Sequence, residues 1–343
     1  MGEYARSLAI AHAVHARWGG AVIHFVLSRQ APYAADTPFP STLLDSSPTF
    51  HAAAVVALIT EFRPTVVIFD NAGRTAQLRA ARAAGAAVIY ISARRRQRRK
   101  AFRLRWMRLL DEHWIAYPQL LSGRPGWIER CKLRLLGRPL MRYLDVVLPA
   151  PDPQRRAALL ARIGAAAGAY ALVVPGGGTG HPRARDAVGV FYDAACTLAA
   201  RGIAAVFVGP TGAVGAQQAA AVPGAAALWS YPSLPQADLA ELLRGARLVI
   251  VNGGSTLLQG IASGAACIGV PIAADQTQRI RRATLAGVAR GAPLNAADIA
   301  DCAAQLLRDE PARAALAARA AALALADGIA VAVAALAPRI EAG

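Results

Sequence analysis

Lysine is almost missing from this 343-residue chain: Lys100 and Lys132 are the only two, and every other residue among its 38 basic ones is arginine. Alanine is very abundant as well. That imbalance reads as a coding bias, so the formal net charge of +17 says little by itself, and only the location of the charge carries weight. Cysteine is sparse. Cys131, Cys196, Cys267 and Cys302 form no Cys-x-x-Cys pair and have no histidine cluster beside them. That argues against a zinc site and a disulfide framework, and points to a reducing cytoplasm. No secretory leader is visible. The most apolar stretch, Leu316 to Pro338, is interrupted by Arg319 and Asp327 and is built on weakly apolar alanine. It is expected to be a packed or surface helix, not a membrane span. No Asp-x-Asp metal motif is present either.

What the chain does have is apolar material, 55% of its residues, enough for a core in each of two domains. The proline-rich break at Pro149–Pro153 divides it into residues 1–150 and 151–343. In the first half the pattern predicts a helix over Gly2–Arg17, a strand over Gly20–Leu27, a strand over Pro64–Asp70, a helix over Thr75–Ala84 and a strand over Ala86–Ser92. A doubly wound domain leads with a strand, and none precedes the first helix. Either the chain start lies upstream or this domain lacks its first strand. The second half restarts the alternation, with strands at Tyr170–Val174, Ala204–Gly209, Leu248–Val251 and Ala266–Pro271. Helices are predicted over Asp186–Ala200, Leu239–Arg244, Asp298–Leu307 and Pro311–Leu325. The fold class is α/β: two Rossmann-like domains with parallel sheets, enclosing a cleft.

Two glycine-rich loops follow strands of the second half. Gly176, Gly177, Gly178, Thr179 and Gly180 lead to His181; Asn252, Gly253 and Gly254 lead to Ser255 and Thr256. Glycine lets backbone N–H groups approach an anion, and a helix N-terminus adds a favourable field. The first loop is not a Walker motif, because no Lys-Ser/Thr follows the glycines, and it is not a clean Gly-x-Gly-x-x-Gly. Tight turns and plain helix capping by Ser255 or Thr256 are the bland readings. Two such loops at strand ends of one domain favour a nucleotide-diphosphate site. Gly253→Asp is therefore expected to abolish nucleotide binding. A third polar patch, Asp275 with Gln278, either caps a helix or hydrogen-bonds a sugar or base. Asp70, at a strand end, is a candidate base or an N-cap.

Strand, Gly-Gly-Ser/Thr and helix, then Ser263-Gly264, Gly269-Val270-Pro271, Asp275, Gln278 and Ala286-Gly287-Val288-Ala289, resemble the C-terminal half of GT-B glycosyltransferases. The nearest patterns are the MurG family of peptidoglycan N-acetylglucosaminyltransferases and the UDP-sugar hydrolases of pseudaminic acid synthesis. Gly2 to Ala11 is similar to their Gly-His-x-x-Arg-x-Leu-x-Leu-Ala segment. The resemblance implies a metal-independent glycosyltransferase without a bound cofactor, which moves a sugar from a nucleotide-diphosphate donor, UDP-linked, to an envelope or lipid-linked acceptor. A hydrolase of the same fold and a degenerate, non-catalytic relative are the alternatives. It implies that the glycine loops hold the diphosphate. Gln259 stands where the family has a ribose-binding Glu, Glu3 where it has a His, and Gln278-Arg279 where it has paired glutamines. Glu3, Asp70 and His181 are the catalytic candidates.

Residues 94–142 carry fifteen Lys and Arg against three acids, Asp111, Glu112 and Glu129. Arg98, Arg99, Lys100, Arg103 and Trp106 are taken as a membrane or acceptor patch. The competing readings are a solvated helical face, an anionic membrane surface with Trp and Leu inserting, a nucleic-acid platform and an anionic sugar acceptor. No nucleic-acid-binding motif supports the third. The expected place is the cytoplasm, with peripheral attachment to the inner face of the membrane.

Overall fold

The computed structural model describes residues 2–31, 33–176, 187–210 and 226–341. The chain divides into two compact units, one from Glu3 to Val147 and one from Leu148 to Leu325, with the segment from Ala326 onward grouped with the first. The sequence pattern had left that last segment with the second half.

The first unit opens with α1 (Gly2–Arg17), β1 (Phe25–Ser28), β2 (Ser41–Leu44), α2 (Ala52–Phe62), β3 (Val66–Asp70), α3 (Thr75–Ala83) and β4 (Ala87–Ser92). It continues with α4 (Arg95–Ala101), α5 (Leu104–Met107), β5 (Glu112–Ile115), α6 (Gln119–Ser122), α7 (Trp127–Leu136) and β6 (Leu140–Tyr143). Strands β3-β4-β5-β6 form one parallel sheet, and β1-β2 form a separate parallel pair. Every residue of β4 is buried, as its apolar run Ala87–Ile91 requires for a strand covered on both faces. Val26 of β1 and Leu44 of β2 pack on the same cluster as Phe69, Val88 and Tyr90. Among the described residues β1 and β3 each pair on one side only.

The second unit runs through α8 (Pro153–Ile163), β7 (Ala171–Val174), α9 (Ala187–Ala200), β8 (Ala205–Val208), β9 (Leu228–Tyr231), α10 (Gln236–Gly245) and β10 (Leu248–Asn252). Then follow α11 (Ser255–Ala262), β11 (Ala266–Val270), α12 (Ala274–Leu285), β12 (Arg290–Gly291), α13 (Ala296–Arg308) and α14 (Glu310–Ala322). The final α15 (Gly328–Ile340) packs in the first unit, where Gly328 N–H donates to the Val146 carbonyl at 2.7 Å. Side chains cap the helices that begin after Asp152, Asn295, Asp309 and Asp327. The sheet order is β12-β11-β10-β7-β8-β9, all parallel. Strand order reverses between β7 and β10, whose residues Ala171–Val174 and Leu248–Val251 pair directly. Phe191, Leu198, Phe207, Ile250 and Ile268 fill the core with no exposed surface. Among the described residues no helix is long and apolar enough to cross a membrane. The Leu316–Pro338 stretch falls across two separate helices, α14 and α15.

The basic segment is half core. Trp106 and Trp114 have no exposed surface, and Arg98 is 9% exposed. Arg98 Nη1 donates to the Ser122 and Gly123 carbonyls at 3.1 and 2.8 Å. Trp106 Nε1 donates to Thr75 Oγ1 at 3.1 Å. Lys100 donates to the Gly73 carbonyl at 2.7 Å and lies over the Trp106 ring. Arg138 and Arg142 are paired with Asp111 and Glu112. Of the five patch residues only Arg99 and Arg103 are exposed, so that patch does not exist as proposed. The charge count gives no sign of β5 because the four residues that make it up, Glu112-His113-Trp114-Ile115, look amphipathic but are all buried.

His113 has no exposed surface; its Nε2 lies 2.8 Å from Ser92 Oγ. Burial, and then the nearby Arg98 charge, pushes its pKa down to about 3. The ring is neutral in the folded protein and takes up a proton near pH 6.5 once unfolded. Stability is therefore expected to fall as the pH drops below about 6.5 and to keep falling until about 3. Urea titrations at several pH values check this, and His113→Gln should flatten the slope in that window.

Candidate functional site

The switch between β7 and β10 brings Pro175 and Gly176, which follow β7, beside the Gly253-Gly254 loop. Asn252, the last residue of β10, is 8% exposed and joins them. Its Nδ2 donates to the Pro175 carbonyl at 2.6 Å, and its Oδ1 accepts from Gly254 N–H at 2.8 Å. Gly176 has φ +82°, and a Cβ there would run into the Asn252 amide. A Cβ on Gly254 would lie 2.6 Å from Asn252 Oδ1. Both glycines are required by the closeness of Asn252. Gly253 is required by something else: a Cβ there would stand 2.8 Å from Gln276 Cβ and 3.0 Å from Ile280. Gln276 Oε1 accepts from Gly253 N–H at 3.2 Å and from Ile272 N–H at 3.0 Å, and Arg279 donates to the Gly253 carbonyl and pairs with Asp275. The start of α12 is thus stapled to the loop.

This changes the roles read from the sequence. The N–H groups of Gly253 and Gly254 are already used inside the loop. Gly253→Asp would collide with α12 whatever is bound, so its effect would not report on a ligand. The N-cap of α11 is Gly254, and no side chain caps it. Ser255 and Thr256 lie in the first turn instead, half-buried, where N–H groups have no partner in the helix. Gln259 is one turn further on the same helix as Ser255 and is also half-buried. Gln278 is exposed; Gln276, which the sequence reading passed over, holds the loop. Asp275 is not an N-cap, because α12 is capped by Ala273. Gly177, Gly178, Thr179, Gly180 and His181 lie outside the described residues.

In the first unit, the ends of β3 and β4 meet the start of α1. Arg6 Nε and Nη2 reach the two Asp70 oxygens at 3.0 and 2.5 Å, and Ser7 Oγ donates at 3.2 Å. Asp70 does not cap α3, whose N-cap is Arg74. Burial pushes the Asp70 carboxyl above its ordinary value, while the Arg6 guanidinium opposes the rise. Asn71, at φ 53°, takes the left-handed conformation and turns its amide back over the strand ends. Its Nδ2 donates to Glu3 Oε1 at 2.9 Å and its Oδ1 accepts from Ala93 N–H at 2.8 Å. Glu3 and Asp70, assigned separately from the sequence, therefore meet at one place. Asp70 is enclosed by a guanidinium and a hydroxyl. Glu3 is half-buried and accepts one hydrogen bond among the described residues.

No protein-family model and no curated protein matches the chain. Solved structures do match it over nearly its whole length. MurG of Acinetobacter baumannii superposes with a TM-score of 0.63 at 15% identity, covering 98% of this chain and 96% of that one. Spinosyn rhamnosyltransferase SpnG, complexed with thymidine diphosphate, gives 0.63 at 18% identity, with the same coverage of both chains. The fold is GT-B. A putative UDP-N-acetylglucosamine 2-epimerase from Listeria monocytogenes, at a TM-score of 0.59 and 14% identity, covers 99% of this chain and 94% of that one.

In a GT-B protein the second unit is a Rossmann-like domain, and ligands of open α/β sheets sit beyond the carboxyl ends of the strands at the switch point. Here that point is the β7–β10 junction held by Asn252. Among the described residues no three of His, Cys, Asp and Glu are grouped as a metal site.

Proposed function

We propose that this GT-B protein binds a nucleoside-diphosphate sugar at the carboxyl ends of β7 and β10 and transfers the sugar to an acceptor held at the carboxyl ends of β3 and β4. The observation that carries the reading is the Asn252 junction, which ties Pro175 after β7 to the Gly253-Gly254 loop after β10 at the switch point of a parallel sheet. Negative charge grows on the diphosphate as the sugar leaves. The N-terminus of α11 answers it with oriented N–H groups and the Ser255 and Thr256 hydroxyls. This stabilisation works without a metal ion, so turnover should survive chelation. Gln259, where the resembled family has a ribose-binding Glu, is the proposed ribose contact, a neutral donor and acceptor.

Glu3 is the proposed base. Asn71 orients its carboxylate, which can then accept the proton of the attacking hydroxyl. Asp70 is a positioning residue, because Arg6 and Ser7 occupy its oxygens. UDP is the proposed nucleotide, and an envelope or lipid-linked sugar the proposed acceptor. Both come from the resemblance to the MurG family alone.

The test is release of free nucleotide from UDP-sugars, with and without an acceptor extract. Release that depends on the acceptor and is lost in Glu3→Gln supports transfer. Equal release in its absence would assign water as the acceptor and make the protein a hydrolase. No release from any nucleotide-sugar contradicts catalysis.

A further inference from the structure

The connection between β1 and β2 is fastened to the first turn of α1, one residue from Glu3. The Tyr33 ring lies flat on the Tyr4 ring, with centroids 4.0 Å apart and planes 7° apart. Tyr4 Oη donates to Thr37 Oγ1 at 3.1 Å, and Thr37 Oγ1 donates to the Tyr33 carbonyl at 3.1 Å. Ring, hydroxyl and carbonyl close a circuit that fixes Tyr33 through both its side chain and its backbone. The Phe25 ring meets Tyr4 edge-on, at 6.1 Å. Tyr4 therefore has its ring and its hydroxyl engaged. Tyr33 is half-buried, and among the described residues its hydroxyl makes no hydrogen bond. Burial, and then the charges of Glu3, Tyr4 and Asp70, push its phenol above the ordinary value. The hydroxyl keeps its proton at neutral pH and stays a donor. Glu3 accepts from Asn71 through Oε1, and its Oε2 accepts no hydrogen bond among the described residues.

We propose that Tyr33 is an acceptor-binding residue, and that with Glu3 it selects an acceptor carrying two neighbouring hydroxyls, as a sugar ring does. The two side chains are complementary: an ionised carboxylate can only accept, and the protonated phenol has a proton to donate. One acceptor hydroxyl attacks the anomeric carbon of the donor sugar. Its oxygen forms the new bond, its proton passes to Glu3, and the departing diphosphate keeps the electron pair of the bond that breaks. The adjacent hydroxyl accepts from Tyr33. An alcohol with a single hydroxyl displaces water from the phenol and gives nothing back, so it is disfavoured. The stack on Tyr4 and the tie through Thr37 hold the phenol in place before the acceptor arrives, so little side-chain freedom is lost on binding. The inference rests on the reading of Glu3 as base and names the class of acceptor that this base serves.

The test is nucleotide release from a nucleotide-sugar that the protein uses, with methyl β-glucoside, methyl N-acetyl-β-glucosaminide or cyclohexanol as the acceptor. Both glycosides carry neighbouring hydroxyls; cyclohexanol carries one. Release above the rate in water alone is expected with the glycosides and not with cyclohexanol. Tyr33→Phe keeps a ring to stack on Tyr4 and removes the hydroxyl. It should raise KM for the glycosides about tenfold, with a smaller fall in kcat. Thr37→Val loosens Tyr33 without removing its hydroxyl and should raise that KM less. An unchanged KM in Tyr33→Phe overturns the proposal, as does release with cyclohexanol as fast as with the glycosides, or no stimulation by either glycoside. A protein whose unfolding midpoint no nucleotide moves overturns it as well, but by failure of the donor site, and the midpoint tells the two failures apart.

Discussion

Arg6→Ala should destabilise the protein by about 3–5 kcal/mol, because it strands a buried carboxylate. The Arg6 and Asp70 side chains are 4% and 10% exposed, and the contact is bidentate. Removing the guanidinium leaves Asp70 with the Ser7 hydroxyl as its remaining side-chain donor in the described structure. The same pair ties α1 to the end of β3, so its loss should also loosen the placement of Glu3 and lower turnover more than it lowers nucleotide affinity. Replacing both partners by apolar residues, Arg6→Met with Asp70→Leu, should recover most of the stability, since buried ion pairs are often no better than well-packed apolar ones. Urea unfolding checks both variants. A loss below about 1 kcal/mol for Arg6→Ala would show that the pair is not closed off from water.

Asn252→Ala should raise the dissociation constant for nucleotide at least tenfold and lower stability by about 2–4 kcal/mol. It leaves the Pro175 carbonyl and Gly254 N–H without partners, at about 1–3 kcal/mol for each buried group. The loops after β7 and β10 then lose their only described side-chain link. Asn252→Asp separates the two contributions. A carboxylate can still accept from Gly254 N–H but cannot donate to Pro175, and it adds negative charge beside the proposed diphosphate. Its effect on binding should therefore exceed its effect on stability. Calorimetric titration at a temperature where each variant is fully folded reads the affinity. A folded Asn252→Ala protein with unchanged affinity would place the nucleotide elsewhere.

Much of this was legible in the sequence for definite reasons. β4, β7, β10 and β11 are apolar runs, broken only by the polar residues Ser92 and Asn252 at the ends of β4 and β10, as strands covered on both faces must be, and the glycine loops follow two of them. Asn252, Gly254, Gly176 and Gly253 were all found from that pattern. Their partners were not. Gln276 and Arg279 touch the loop only because α12 docks against it, and a helix whose apolar face is carried by Ile280 and Ala283 gives no sign of which polar side chain turns inward. The pairing of Arg6 with Asp70 spans 64 residues and has no local signature. The basic segment misled for a different reason. Charge was counted as surface, whereas Arg98 serves two carbonyls and Arg138 and Arg142 serve two acids.

Thermal unfolding with UDP, GDP, CDP, dTDP and ADP asks whether the protein has a nucleotide site at all, before any sugar or acceptor is known. A nucleotide at roughly a hundred times its dissociation constant adds about 2.7 kcal/mol to the folded state, which moves the midpoint by several degrees. A nucleotide site at Asn252 gives such a shift with UDP, diminished in Asn252→Ala; a shift with dTDP instead would keep the site and change the donor. Unmoved midpoints with all five nucleotides would contradict it.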